Sequence, residues 1–143
     1  MKERFRIIVC VDLLLRDQNK ILLMMRQNTG SNDGEYELPG GHLEKEEDIV
    51  AGIIREAKEE LNISLEREEL HILHICHHYT EERVNIILEA EKKDHIPMIG
   101  EKEKCSELKW VDIDSLPEKT TKKVKTIIEN IKQKKIYDFY KSE

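Results

Sequence analysis

Gly41-His42-Leu43-Glu44-Lys45-Glu46-Glu47-Asp48-Ile49-Val50-Ala51-Gly52-Ile53-Ile54-Arg55-Glu56-Ala57-Lys58-Glu59-Glu60-Leu61-Asn62-Ile63 is the stretch from which the rest of the chain can be read. At roughly 100° per residue, a helix over about residues 47–61 gathers Glu56, Glu59 and Glu60 into one narrow sector. Val50, Ile54, Ala57 and Leu61 fall on a neighbouring face that can bury against a sheet. Three carboxylates on one face repel one another, and the local sequence alone does not offset that cost. A hard divalent cation does, because it takes carboxylate oxygens together with substrate phosphates. The plainer reading, an amphipathic helix with a solvated acidic face, leaves Arg55 and the preceding glycines unexplained.

Upstream, Tyr36-Glu37-Leu38-Pro39-Gly40-Gly41 reads as a strand entering a Gly-rich loop. Gly40 and Gly41 let the backbone approach an ion or phosphate with no Cβ in the way. Loop and helix together resemble the signature of the Nudix hydrolase family, G-x5-E-x7-R-E-U-x-E-E-x-G-U, where U is aliphatic. Gly41, Glu47, Arg55, Glu56, Glu59, Glu60 and Ile63 fill its positions at the required spacing. Two positions depart from it. Ala57 is smaller than the usual aliphatic residue, which thins the packing but removes no catalytic group. Asn62 stands in place of glycine just after the helix, where φ > 0 is needed and Asn tolerates it better than most residues.

The resemblance implies an α/β fold, an α/β/α sandwich with a mixed sheet between helices. It implies an enzyme that hydrolyses the diphosphate of a nucleoside diphosphate linked to X. Glu56, Glu59 and Glu60 would hold Mg²⁺, with Mn²⁺ as a substitute, and a loop carbonyl, carried onto Gly40, would join them. Arg55 would orient the glutamates through charge-assisted hydrogen bonds, with Glu47 as its partner; a surface pair with Glu59 is the plainer account. Gly41 and His42 are candidates for touching substrate. Glu101-Lys102-Glu103-Lys104 ahead of Trp110 resembles an E-P-E-K segment of members that cleave nucleoside triphosphates, with Lys102 in the proline's place. Glu103 is the first candidate there for a distal ligand or base and Glu101 the second, against the reading of a solvated loop glutamate. Whether Glu56 or Glu103 is the base stays open.

At 143 residues the chain reads as one domain, residues 1–143, with a single core. Charged residues equal hydrophobic ones at 38% each, as suits a small α/β protein with a wetted surface. No apolar run reaches membrane-spanning length and no apolar signal segment opens the chain. Cys10, Cys76 and Cys105 form no C-x-x-C pair, so a reduced, cytoplasmic setting is expected. A net charge of −6 argues against a stable nucleic-acid complex. The expected partner is a small nucleotide, bound by a monomer or homodimer.

Residues 6–15 are apolar and β-branched and read as a central strand, returning through a turn into a second strand at 21–25. Residues 27–35 read as an exposed loop. Further strands are expected at 71–79, 84–91 and 108–112, and a second helix at 120–134 with Val124, Ile127, Ile128 and Ile131 inward. The polar segment 92–106 reads as a loop near the site that orders when substrate binds. His74, Cys76 and His78 share one side of a strand, a geometry zinc could use, though a strand facing a groove explains them without an ion. Phe5, Tyr36, Tyr79 and Trp110 read as core, with Phe5 and Tyr79 the alternatives for meeting a base.

The leading expectation is cleavage of a (d)NTP, oxidised or not, to a nucleoside monophosphate and pyrophosphate. The alternatives are an ADP-ribose or nucleotide-sugar pyrophosphatase, and a non-catalytic Nudix module that binds a nucleotide. Some ADP-ribose-cleaving relatives carry extra sequence before the motif that supports a dimer. This chain has 40 residues there, which favours the smaller nucleotides. Non-catalytic modules usually lose motif glutamates, and here all three remain.

Overall fold

Three consecutive leucines organise the molecule. In the computed structural model, which describes residues 2–142, they lie in the first strand, β1 (Ile8–Asp17). Successive strand side chains point to opposite faces. Leu13 and Leu15 therefore join one core cluster, with Ile53, Ala57 and Leu61, while Leu14 joins another, with Val124, Ile127 and Ile128. All three leucines are at most 1% exposed. A strand buried on both faces needs a helix layer on each side, and the two clusters supply it.

Around β1 run β2 (Lys20–Arg26), β3 (Tyr36–Glu37), β4 (Gly40–His42), β5 (His71–His78), β6 (Arg83–Glu91), β7 (Cys105–Asp112) and β8 (Tyr137–Tyr140). The sheet order is β3-β2-β1-β6-β5-β8, with β4 paired to β1 and β7 to β2. β1 pairs with β6, and β5 with β8, in parallel; the other pairs are antiparallel. Helix α1 (Ile49–Leu61) covers one face and α2 (Lys122–Lys132) the other. This is the mixed-sheet α/β/α sandwich expected. Among the described residues, no helix is long and apolar enough to cross a membrane.

The site helix begins at Ile49 rather than near residue 47. Asp48 adopts extended backbone and its carboxylate accepts from the Ala51 amide at 2.7 Å, which makes it the N-cap. Glu47 is thereby released for another task. The buried face is also rotated from the expected one: Ile53 is fully buried, while Val50 and Ile54 are half-buried. At the other end Asn62 takes φ 55°, ψ 36°, the left-handed cap that its place in the motif demands.

Residues 92–104 run as irregular chain, but they are already tied down. The Met98 and Gly100 amides donate to the Leu61 and Glu60 carbonyls at 2.9 Å each, and a Cβ on Gly100 would lie 2.0 Å from the Glu59 carbonyl oxygen. The loop that was expected to order with substrate is thus docked on the end of α1. β7 begins at Cys105, ahead of the expected residue 108, and β8 has no counterpart among the expected strands. Phe5 and Tyr79 are exposed, not core, whereas Tyr36 is buried and Trp110 half-buried. His74 is buried with Nδ1 2.8 Å from the Lys135 carbonyl, which locks β5 to the chain entering β8. No group of three His, Cys, Asp or Glu side chains among the described residues is gathered for a metal, neither His74, Cys76 and His78 nor the three glutamates of α1.

Asn62→Gly is expected to hold or raise the melting temperature, because glycine enters the left-handed region freely. Asn62→Val should destabilise by about 1–2 kcal/mol. Thermal unfolding of the two variants checks this, and equal melting temperatures would show that the cap conformation carries no weight.

Candidate active site

The Arg55 guanidinium is where the parts of the site meet. Its Nε and Nη2 donate to the two oxygens of Glu47 at 2.7 and 3.0 Å, a bidentate pair. Nη1 donates to Glu56 Oε1 at 2.9 Å and to Glu59 Oε2 at 3.3 Å, and Nη2 also reaches the His42 carbonyl at 3.1 Å. Glu47 in turn accepts from the Glu44 amide at 3.0 Å. One side chain thus joins the acidic face of α1 to β4 and to the loop between them. The bonds to Glu47 lead in holding Arg55 firmly in its charged form.

Glu56 and Glu60 both reach β4 from α1, Glu56 beneath Gly41 and Glu60 at the Gly40 N–H. Burial raises the pKa of Glu56, and Arg55 works against that rise. Burial also raises Glu60, the charge on Glu56 raises it further, and the Gly40 N–H, donating at 3.1 Å, only partly opposes. Both carboxyls are thus pushed above the usual carboxylate range, with burial the leading cause in each. Glu59 does not converge with them. Its side chain is 48% exposed and turned to Arg55, the nearest counter-charge.

The two glycines serve different ends. A Cβ on Gly40 would lie 2.1 Å from the Val11 carbonyl oxygen, so this residue lets β4 pair with β1. A Cβ on Gly41 would lie 2.5 Å from Glu56 Oε1, so this one makes room for the carboxylate. His42, half of the expected substrate contact with Gly41, is exposed beside them.

A cavity of about 640 Å³ opens over this group, within the size of small-ligand sites. Gly40, Gly41, His42, Glu56, Glu59 and Glu60 all border it. Of the two distal candidates, Glu101 borders it too and its charge also raises Glu60. Glu103 is exposed and does not; its carbonyl instead accepts from Asn28 Nδ2 at 3.1 Å. The docking of Gly100 on Glu60 explains the difference, since it sets Glu101 next to the helix end and lets Glu103 swing out. Arg26 and Lys104 complete the wall with positive charge. A lone arginine at a strand end and a lysine in a mixed-charge run carry no spacing signal.

A second cavity of about 620 Å³ shares Arg26, Glu37, Gly40, Gly41 and His42 with the first. Its interior is a charge network. Asn85 Nδ2 donates to Asp12 Oδ2 at 2.8 Å, and Lys123 Nζ lies 3.7 Å from Asp12 and 3.9 Å from Glu37. Burial disfavours charge on Lys123, but Asp12 and Glu37 outweigh it and raise its pKa. These residues come from β1, β3, β6 and α2, and no sequence motif links them.

A family model of the NUDIX domain matches residues 4–131, most of the chain. No curated protein matches it. The fold is similar to that of a MutT NUDIX hydrolase from Burkholderia pseudomallei, with TM-score 0.77 and 26% identity over 87% of this chain and 98% of that one. A MutT protein from Methanosarcina mazei Go1 is similar at TM-score 0.72 and 21% identity, over 92% of this chain and 97% of that one. The NUDIX domain of Shewanella oneidensis NrtR, solved in complex with ADP ribose, is similar at TM-score 0.69 and 20% identity, over 92% and 89% respectively.

Gly40→Ala is expected to cost about 3 kcal/mol or more, because its Cβ strikes backbone. Gly41→Ala strikes the movable end of Glu56, so it should fold with nearly unchanged melting temperature and lose turnover by about 10²-fold. Calorimetry and steady-state rates separate the two. Equal behaviour of both variants would refute the division of labour.

Proposed function

The chain belongs to the Nudix family, whose members hydrolyse diphosphate bonds, and we propose that it is a Mg²⁺-dependent pyrophosphohydrolase cleaving a (d)NTP to a nucleoside monophosphate and pyrophosphate. The observation that carries this reading is the Glu56–Glu60 carboxyl pair, pressed together under β4 at the floor of a cavity walled by Arg26 and Lys104. Two neighbouring carboxyls pushed by burial toward their neutral forms are costly in a protein interior but a fit donor set for a hard divalent cation. The family's use of divalent metal agrees with that chemistry. Glu56, Glu60 and the Gly40 carbonyl are the groups we assign to hold it, and Glu59 would join them by turning from Arg55. A cation bound there neutralises diphosphate charge and acidifies water.

The side chains then have distinct work. Arg55 holds Glu56 Oε1 through a hydrogen bond and opposes the push of burial toward the neutral acid. Arg26 and Lys104 receive phosphate oxygens and take up charge that grows on the departing group. A water oxygen forms the new bond to phosphorus as the bridging P–O bond breaks in line. The water proton passes to a carboxylate, a role we assign to Glu101 or Glu56, which line the cavity, ahead of the exposed Glu103. Three buried free cysteines agree with a cytoplasmic setting.

A second reading, an ADP-ribose or nucleotide-sugar pyrophosphatase, draws on the two cavities that share a wall. They leave room for a group on each side of a diphosphate. A panel of dNTPs, an oxidised dGTP, ADP-ribose and UDP-glucose decides between the two.

Hydrolysis should stop in chelator and return with Mg²⁺ or Mn²⁺; rates that persist in chelator would overturn the metal assignment. Glu60→Gln should lower kcat by about 10²-fold or more at unchanged melting temperature. Glu101→Gln should lower it clearly and Glu103→Gln hardly at all, and the reverse order would return the distal role to Glu103.

A further inference from the structure

We infer that the outer end of the sheet, where β5 and β8 leave the cover of α1, is the surface on which a second copy of this chain docks. The α1 core cluster draws its strand residues from β1, β2, β6 and β7, with none from β5 or β8 among the described residues. Paired residues on neighbouring strands share a face. Ile72 and Ile75 pair with Leu88 and Ile86 of that cluster, so they lie on the α1 side of β5, and His77 follows by alternation. Tyr137 pairs with Ile75 and Phe139 with His77, which carries the same face onto β8. The opposite face of β8 is covered: Asn130 of α2 donates to Asp138 Oδ2 at 2.7 Å and to the Tyr140 hydroxyl at 3.2 Å. One side of the sheet end is thus packed and the other bare.

The bare face is aromatic. Tyr137, Phe139 and Tyr79, in the turn after β5, are 53%, 59% and 44% exposed. The Phe139 ring centre lies 6.1 Å from those of both Tyr137 and Tyr79, and Tyr79 lies 6.3 Å from the His77 ring. Phe, Tyr and Trp make up only 5% of the chain, so three of them gathered in one open patch is a concentration that monomers rarely leave to solvent. About half of each ring is open, which amounts to about 300 Å² of aromatic surface, and the exposed Ile72 extends it. That is the apolar core of a standard interface, which takes about 800 Å² from each partner and surrounds such a core with a polar rim. The rim carries both signs, Glu81 and Glu82 against Lys135 and Lys141, all exposed. A two-fold pair of identical surfaces can therefore set opposite charges against each other, as a copy of the chain requires. The copy packs on the face and does not add a strand to the edge. Ile136 turns its carbonyl to β5, so the alternate residues Tyr137 and Phe139 turn their backbone groups outward. The Phe139 N–H that a further strand would need is already taken by Asp138 Oδ1 at 2.8 Å.

Sedimentation velocity on the full chain, without nucleotide or metal, from about 1 to 200 µM tests this. We expect a concentration-dependent dimer with a dissociation constant on the order of 10 µM or tighter, weakened at least 10-fold by Phe139→Glu and by Tyr137→Glu. Ile96→Glu, at an exposed apolar position on the loop beside α1, should leave the dimer intact. The substituted side chains are all exposed, so the variants should keep the fold, as circular dichroism will show; Tyr79→Glu replaces either patch variant that does not. A monomer throughout that range, a dimer that survives both patch substitutions, or one that Ile96→Glu breaks overturns the assignment. So does a monomer that binds phosphatidylcholine vesicles and ceases to with Phe139→Glu, which would give the face to a membrane instead.

Discussion

A single cation, the Arg55 guanidinium, is what allows two buried carboxyl groups to exist beside each other on α1. A charge as buried as that of Glu56 is tolerated only when paired and hydrogen-bonded, and removing one partner of a buried pair costs about 3–5 kcal/mol. Arg55 provides the pairing from one side while Glu47 and the His42 carbonyl hold Arg55 itself in place. The planar fork matters here, because a lysine could not bind Glu47 with two parallel bonds and still reach Glu56. The rest of the site follows from this fixture: the helix cap at Asp48 that frees Glu47, the glycine that makes room for Glu56, and the loop docking that brings in Glu101.

The molecule keeps this local conflict by surrounding it with ordinary, well-packed structure. β1 is buried on both faces and pairs with β2, β4 and β6, so the strand that positions Gly40 is itself held from three directions. The carboxyl pair sits at the edge of the α1 core cluster, where Ile53, Ala57 and Leu61 hold the helix against the sheet. A site that concentrates like charge is a local liability, and a rigid scaffold is what makes it affordable.

What the sequence discloses and what it hides divide along the length of the interactions. The site helix, its left-handed end at Asn62 and the Arg55–Glu47 pair are written in spacings of fifteen residues or fewer, and all are present. The exact buried stripe is less legible, because Ile53 and Ile54 are both apolar and only the docking angle on the sheet chooses between them. β8 escapes notice because four residues after a polar segment carry little periodicity, and its pairing with β5 is set by the His74 anchor and the Ile75–Ile136 backbone bond. Glu101 and Glu103 differ by two residues in a polar loop. Their placement depends on Gly100 meeting Glu59 and Glu60, a contact across some forty residues of sequence that no local pattern announces.

The same distinction separates chemistry from recognition. The groups around the diphosphate come mostly from one helix and the loop before it, so their spacing is rigid and a motif can record them. The second cavity draws Asp12, Glu37, Asn85 and Lys123 from four elements whose neighbourhood exists only in the folded sheet. Neither Glu56 nor Glu60 borders that cavity. A fold built this way can hold one reaction constant while its substrate changes, because the three residues of β4 border both cavities while the side chains beyond them differ.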